Sequence, residues 1–202
     1  MEEKYKSDLA EIRDMMHRSS RFISLDGWSG ISVGIIALIG GYLAYRNIFS
    51  RLPELDYYPM PHVDGQLGQL LFLAAGTLFL AIAAAIFFTI RGSRTKQEAI
   101  WDAQSKRLVL NLGIPLLTGG LLCLILLFKG FIAFLAPLTL IFHGLALVNA
   151  SQYTIKQIRI LGLVLIILGL LAMCFLHLGL IFWGIGFGLA HIGYGVIMKW
   201  KQ

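Results

Sequence analysis

Carboxylates are missing from every long apolar run of this chain. Six such runs, at about 28–45, 67–90, 108–128, 131–149, 158–176 and 178–198, contain no Asp or Glu. Proton-coupled transporters and pumps place an ionisable carboxylate or its equivalent along the pathway, so the absence counts against that class. Charge is scarce throughout: 14% of the 202 residues are charged and 57% are hydrophobic. A soluble domain carries about a quarter charged residues, and no soluble core of this size needs so many apolar side chains. Lipid must solvate the excess, which excludes a sizeable soluble catalytic domain. Cysteine is nearly absent too. Cys123 and Cys174 lie in apolar runs without metal-ligand spacing and read as buried free thiols. The chain also lacks a nucleophile elbow, a zinc motif and a dinucleotide fingerprint. Glycine spacings inside apolar runs are no substitute, because nucleotide phosphates need a strand-to-helix turn in water. The expectation is a protein that is not an enzyme and carries no cofactor.

What is present is a glycine-marked phrase that occurs three times. It reads Gly34-Ile-Ile-Ala-Leu-Ile-Gly40-Gly41, then Gly113-Ile-Pro-Leu-Leu-Thr-Gly119-Gly120, then Gly162-Leu-Val-Leu-Ile-Ile-Leu168-Gly169. Each copy opens an apolar run that a second run follows. Runs of roughly 18 to 24 apolar residues are long enough to span a bilayer, and backbone inside hydrocarbon must close its own hydrogen bonds. The fold class expected is therefore all-α, with six transmembrane helices arranged as three parallel hairpin repeats at about 28–90, 108–149 and 158–198. Residues 27–202 form the bundle, and residues 1–26 form a separate cytoplasmic helix. With one gap at the external turn, His143 falls opposite His191.

Orientation follows from the basic residues. Lys4, Lys6, Arg13, Arg18, Arg21, Arg91, Arg94, Lys96, Lys106, Arg107, Lys156, Arg159, Lys199 and Lys201 share one side, 14 of the 17, against Arg46, Arg51 and Lys129. Both termini are then cytoplasmic, as expected for a multi-pass protein of the cell inner membrane. Trp28 and Trp200 near one interface and Trp183 near the other fit aromatic anchoring. The net charge of +6 sits at span ends and in connections, which is no nucleic-acid footprint. No signal peptide is expected, since the charged first 26 residues lack the pattern.

The connections differ in kind. Residues 46–66, with Pro53, Pro59 and Pro61, are expected to form an ordered external loop. Within it, His62 and Asp64 read as solvated polar residues with a cation contact as the alternative. Thr95-Lys-Gln-Glu98 has the form of a capping box that starts a helix through Ile100 and Trp101 into the third span. Tyr5, Leu9, Ile12 and Met16 recur at helical spacing, so the N-terminal helix is amphipathic and lies on the membrane or on a partner. Residues 1–26 and 93–107 are the surfaces offered to a cytoplasmic protein.

Small residues supply the packing. Gly30, Gly34, Ala37, Gly41 and Ala44 line one face of the first span, and Gly184, Gly188, His191 and Gly195 one face of the sixth. Gly113, Gly120, Gly162 and Gly169 take the same role in the other copies, and a homo-oligomer interface is the alternative use of such faces. Pro115 and Pro137 are expected to kink or loosen the third and fourth spans. Asn111, Asn149, Thr118 and Thr139 can be satisfied across helices. His143 and His191 lie about 10 Å deep at 1.5 Å per residue. Their plain reading is interhelical hydrogen bonding; the sharper one is a haem, metal or ligand pair.

Glu11-Ile-Arg-Asp-Met-Met-His-Arg-Ser-Ser-Arg-Phe-Ile-Ser-Leu25, six spans and the ending Phe-Gly-Leu-Ala-His191-Ile-Gly-Tyr-Gly together resemble an uncharacterised bacterial family of six-span integral membrane proteins. That resemblance covers nearly the whole chain and carries no functional residues. In repeat style the glycine-marked hairpins are similar to the HdeD-like membrane proteins, which implies a role in acid or stress resistance. Mitochondrial carriers also repeat a hairpin three times, but their proline–acid–arginine signature is missing here. Two classes stay open: a scaffold, sensor or regulatory bundle, and a small channel or carrier for an uncharged or hydrophobic solute. A haem- or quinone-binding protein built on His143 and His191 is the third.

Overall fold

A backbone amide in hydrocarbon has no water to bond, so each apolar run closes its hydrogen bonds within itself. The computed structural model describes residues 27–47, 66–95, 103–154 and 156–200, and every long element among them is a helix. They are α1 (Gly27–Asn47), α2 (Gln66–Thr95), α3 (Ala103–Phe128), α4 (Leu135–Ala150), α5 (Lys156–Cys174) and α6 (Leu176–Trp200). Short 3₁₀ turns flank α4, so its apolar stretch runs from Ile132 to Tyr153. All six are long and apolar enough to cross a membrane. The amphipathic helix expected before residue 27 and the loop with His62 and Asp64 lie outside the described residues.

Several local expectations change. Thr95 is helical and belongs to α2, whereas an N-cap residue has non-helical dihedrals. The rest of the expected capping box, Lys96 to Glu98, and the helix start through Ile100 and Trp101 lie outside the described residues. Pro137 sits in the first turn of α4, where a missing amide removes no intrahelical bond, so it has no reason to kink the span. Pro115 does lie inside α3. Asn111, Thr118 and Thr139 bond back to the carbonyls of Arg107, Ile114 and Ala136 in their own helices, each at 2.9 Å. A helical carbonyl has a second lone pair that a nearby amide or hydroxyl can use, which makes a partner helix unnecessary. Both cysteines are free, but Cys174 is exposed and Cys123 only half-buried, because each lies on an outer face.

Two tight turns reverse the chain. After α3, Gly130 adopts φ 82°, its amide bonds Leu127 O at 3.0 Å and that of Phe131 bonds Leu126 O at 2.9 Å. This is a Schellman stop, in which glycine takes the left-handed position without a Cβ clash. A 3₁₀ turn, Ile132–Phe134, then leads into α4. The turn between α5 and α6 repeats the second half of this design. Phe175 (φ −126°, ψ 67°) replaces Phe131 (φ −83°, ψ 57°), and the 3₁₀ turn Leu176–Leu178 follows.

The helices pack in the order α2, α1, α6, then α4 and α5 together, with α3 against α4. The core lies among α4, α5 and α6, where Leu140, Ile158, Leu161, Leu165, Tyr194 and Met198 form one buried cluster. Glycine decides how closely the backbones approach. A β-carbon on Gly162 would lie 2.7 Å from Gly144 O, and one on Gly144 would lie 2.6 Å from Gly162 O. On the other side of the core, α1 meets α6 in the same way. Gly27 and Gly195 would each place a β-carbon 2.5 Å from the other's carbonyl oxygen, and Gly34 would place one 2.6 Å from Gly188 O. Trp28 completes this crossing, with Lys199 Nζ 3.5 Å above its ring centre.

Of the nine glycines expected to pack helices, Gly30, Gly34, Gly41, Gly162, Gly169 and Gly188 would each bring a β-carbon against atoms of another helix. Among the described residues, a β-carbon on Gly113, Gly120 or Gly184 would meet no atom within 4 Å. Gly113 and Gly120 face outward from an edge helix. Near Gly184 the Trp183 ring, 3.2 Å from the β-carbon position of Gly41, fills the gap between α1 and α6.

Candidate functional site

The polar centre of the bundle is built on a change in helix winding. Between Gly184 and Ala190, α6 is π-wound, with α-helix on both sides at Gly179–Trp183 and His191–Trp200. A π segment detaches carbonyls from the usual α ladder, and such segments recur at functional sites. Here the Gly186 carbonyl is taken by the His191 ring, Nδ1 to O at 2.9 Å. A carbonyl only accepts, so Nδ1 carries the proton, and the neutral ring keeps a lone pair on Nε2. His191 is buried, and its ring bonds back to its own helix.

Three rings gather around it. Phe187 stacks on His191 with centroids 5.9 Å apart and planes 9° apart, and Trp183 lies 4.9 Å from Phe187. His143 of α4 leans onto this ladder, 5.0 Å from Phe187 and 5.5 Å from His191, with the two imidazoles tilted by 35°. The pair singled out from the sequence does meet. Among the described residues His143 makes no hydrogen bond, so its contact with α6 is ring packing. One turn beyond His191, Tyr194 enters the core cluster with a buried hydroxyl that has no hydrogen-bond partner.

The chemistry open to this cluster is narrow. No Asp or Glu occurs anywhere from Ala103 to Gln202, so neither imidazole has a carboxylate on its own or a neighbouring helix in that half. Among the described residues no group of three or more His, Cys, Asp or Glu could hold a metal ion. The imidazoles touch one another, so a haem iron ligated by both would require α4 and α6 to part. What the site offers is a flat aromatic wall, the lone pair of His191 Nε2 and the Tyr194 hydroxyl. Sequence reasoning found both histidines but missed Trp183, Phe187 and Tyr194. Their signal was available: Trp183, Phe187 and His191 are spaced by four residues, and Tyr194 follows one turn later. No protein-family model matches the chain, and no curated protein or solved structure matches it at a significant level.

Proposed function

We propose that this chain is a non-enzymatic scaffold of the bacterial inner membrane, with both termini cytoplasmic, whose bundle anchors a surface for regulatory or stress-related partners. The observation that carries this reading is the packed centre. Leu140, Ile158 and Leu165 are almost wholly buried between α4, α5 and α6, and glycine crossings seal the α4–α5 and α1–α6 contacts. A filled centre favours a scaffold over a channel or carrier, which needs a path for its solute. The rigid core would present residues 1–26 and 93–107 on the basic side, where Arg91, Lys106, Arg107, Arg159 and Lys199 mark span ends.

The same reading includes three copies of one hairpin: α1 with α2, α3 with α4, α5 with α6. Its support is a shared contact pattern between successive units. A β-carbon on Gly34 would meet Gly188 O and Ile192 N at 2.6 and 3.1 Å, and one on Gly162 would meet Gly144 O and Val148 N at 2.7 and 3.0 Å. Gly34 and Gly162 open two copies of the repeated phrase. Gly144 and Gly188 hold matching places on the second helix of their units, each with a β-branched residue four positions on. This register pairs His143 with Phe187, one turn away from the His143–His191 pairing that the single-gap alignment suggests.

Deleting residues 1–20 tests the scaffold. The expected result is loss of every co-purifying soluble partner, while the helical circular-dichroism spectrum and thermal transition of the detergent-solubilised bundle stay unchanged. Retention of all partners by the truncated chain refutes the scaffold.

A further inference from the structure

The described helices leave a groove along one side of α6. Among the described residues α2 packs on α1 and α3 packs on α4, and neither α1 nor α2 has a substantial interface with α3 or α4. The two pairs are joined through α6 and stand on either side of it. The ring ladder crosses the floor between them. Trp183 lies 3.2 Å from the β-carbon position of Gly41 on α1, and Phe187 lies 5.0 Å from His143 on α4. Trp183, Phe187 and His143 are part-exposed, and the first two border the packed cluster. One turn nearer the basic end, Tyr194 narrows the groove: its Cδ1 lies 3.1 Å from the β-carbon position of Gly30 on α1.

At this level the side chains offer more hydrogen bonds than the described residues use. His191 gives its Nδ1 proton to Gly186 O at 2.9 Å, so its Nε2 can only accept. Neutral His143 offers one N–H and one lone pair, and among the described residues neither is bonded. Its nitrogens are not sealed in: among the described buried side-chain polar atoms, only Tyr194 Oη is both fully enclosed and without a partner. Tyr194 itself is 9% exposed. About 10 Å inside the span, bulk water does not complete these bonds. Whatever completes them is neutral. No Asp or Glu occurs from Ala103 to Gln202, and neither α4 nor α6 carries Lys or Arg before Lys199, so a charged ligand has no counter-ion. The ligand must donate to His191 Nε2 and accept from the His143 N–H. A hydroxyl does both, whereas a carbonyl only accepts. The flat faces of Phe187 and Trp183 beside it match an aromatic ring better than an alkyl chain.

We propose that this groove binds a quinol, the reduced form of a lipid-soluble quinone, with one ring hydroxyl held between His191 Nε2 and the His143 N–H. The sense of the bonds makes the site selective for oxidation state. The quinol O–H donates to His191 while its oxygen accepts from His143; the oxidised quinone keeps the second bond and loses the first. A ligand dissolved in the membrane enters sideways through the groove, so the packed core of α4, α5 and α6 stays closed. Binding alone is involved, with no electron passed to the protein. The site goes beyond the scaffold reading and stands apart from it.

The test uses the full-length chain in lipid nanodiscs under nitrogen, with a decyl-substituted benzoquinol and the matching benzoquinone as probes. Bound probe is measured by equilibrium dialysis, and empty nanodiscs supply the correction for partition into lipid. The quinol should bind about tenfold more tightly than the quinone, the worth of one hydrogen bond to a buried acceptor. His191→Phe keeps the ring stack and removes the acceptor. It should lower quinol affinity to that of the quinone and leave the quinone unchanged. His143→Phe should weaken both forms by a similar factor, and it decides the matter if His191→Phe does not fold. Three outcomes overturn the proposal: no binding above empty nanodiscs, equal affinity for the two forms, or quinol affinity that neither substitution changes. If quinol fails to bind while deletion of residues 1–20 still removes soluble partners, the scaffold stands and only the quinol site falls.

Discussion

Gly162 and Gly113 occupy the same place in two copies of one phrase, yet one lies between backbone atoms and the other faces open space. The helices that carry them differ in the same way. In α5, 33% of the most apolar window is buried, as in α1; in α3 the share is 6% and in α2 it is 0%. Similar glycine-marked runs thus serve a packed centre and an open edge within one molecule. The difference teaches that glycine in a membrane helix is a permission for contact. Whether the contact exists depends on which helix arrives.

The comparison breaks most sharply at the glycines themselves. Gly162→Ala places a methyl against Gly144 O and Val148 N, so α4 and α5 must separate along the whole crossing. A loss of about 2–3 kcal/mol is expected, the upper range of an overpacked core. Gly113→Ala should instead be neutral or stabilising by up to about 1 kcal/mol, because alanine has the better helix propensity and meets nothing. Thermal unfolding of both variants in the same detergent reads the contrast, and equal losses would sink the distinction between centre and edge. A smaller effect is expected at the polar centre. His191→Phe keeps the stacking on Phe187 but removes the ring's buried hydrogen bond to the Gly186 carbonyl, at a cost of about 1–3 kcal/mol. His143→Phe should cost less than His191→Phe, since His143 contributes ring packing and no hydrogen bond; a reversed order in the same assay would contradict the assignment. The smallest change is at Tyr194. Its buried hydroxyl has no partner, so Tyr194→Phe should leave stability unchanged or raise it by about 1 kcal/mol. A marked loss would show that the hydroxyl is bonded in the membrane and would move the centre of the site to Tyr194.

Much of the architecture was legible from residue order. The apolar runs expected at 28–45 and 108–128 became α1 at Gly27–Asn47 and the apolar stretch Ser105–Phe128 of α3. Hydrocarbon thickness sets such lengths, and a run can be measured without knowing its neighbours. His143 and His191 were legible as isolated polar residues in apolar surroundings. The π segment was invisible, because one added residue per turn is stabilised by a side chain returning to Gly186 O, a contact that composition does not express. Phe187 was passed over for a related reason. Phenylalanine is ordinary in a membrane helix until two imidazoles are brought against it.

The sequence by itself determined the helical class, the number and extent of the apolar spans, and the places where backbones are able to touch. Those properties depend on hydrophobicity, length and side-chain volume, which act locally. Only the tertiary structure decided which glycines are used, that α6 sits between α1 and the α4–α5 pair, and that His143 rests on Phe187 beside His191. These depend on which surfaces meet. In lipid every apolar face is solvated equally well, so shape at close range, and not hydrophobicity, selects the neighbour.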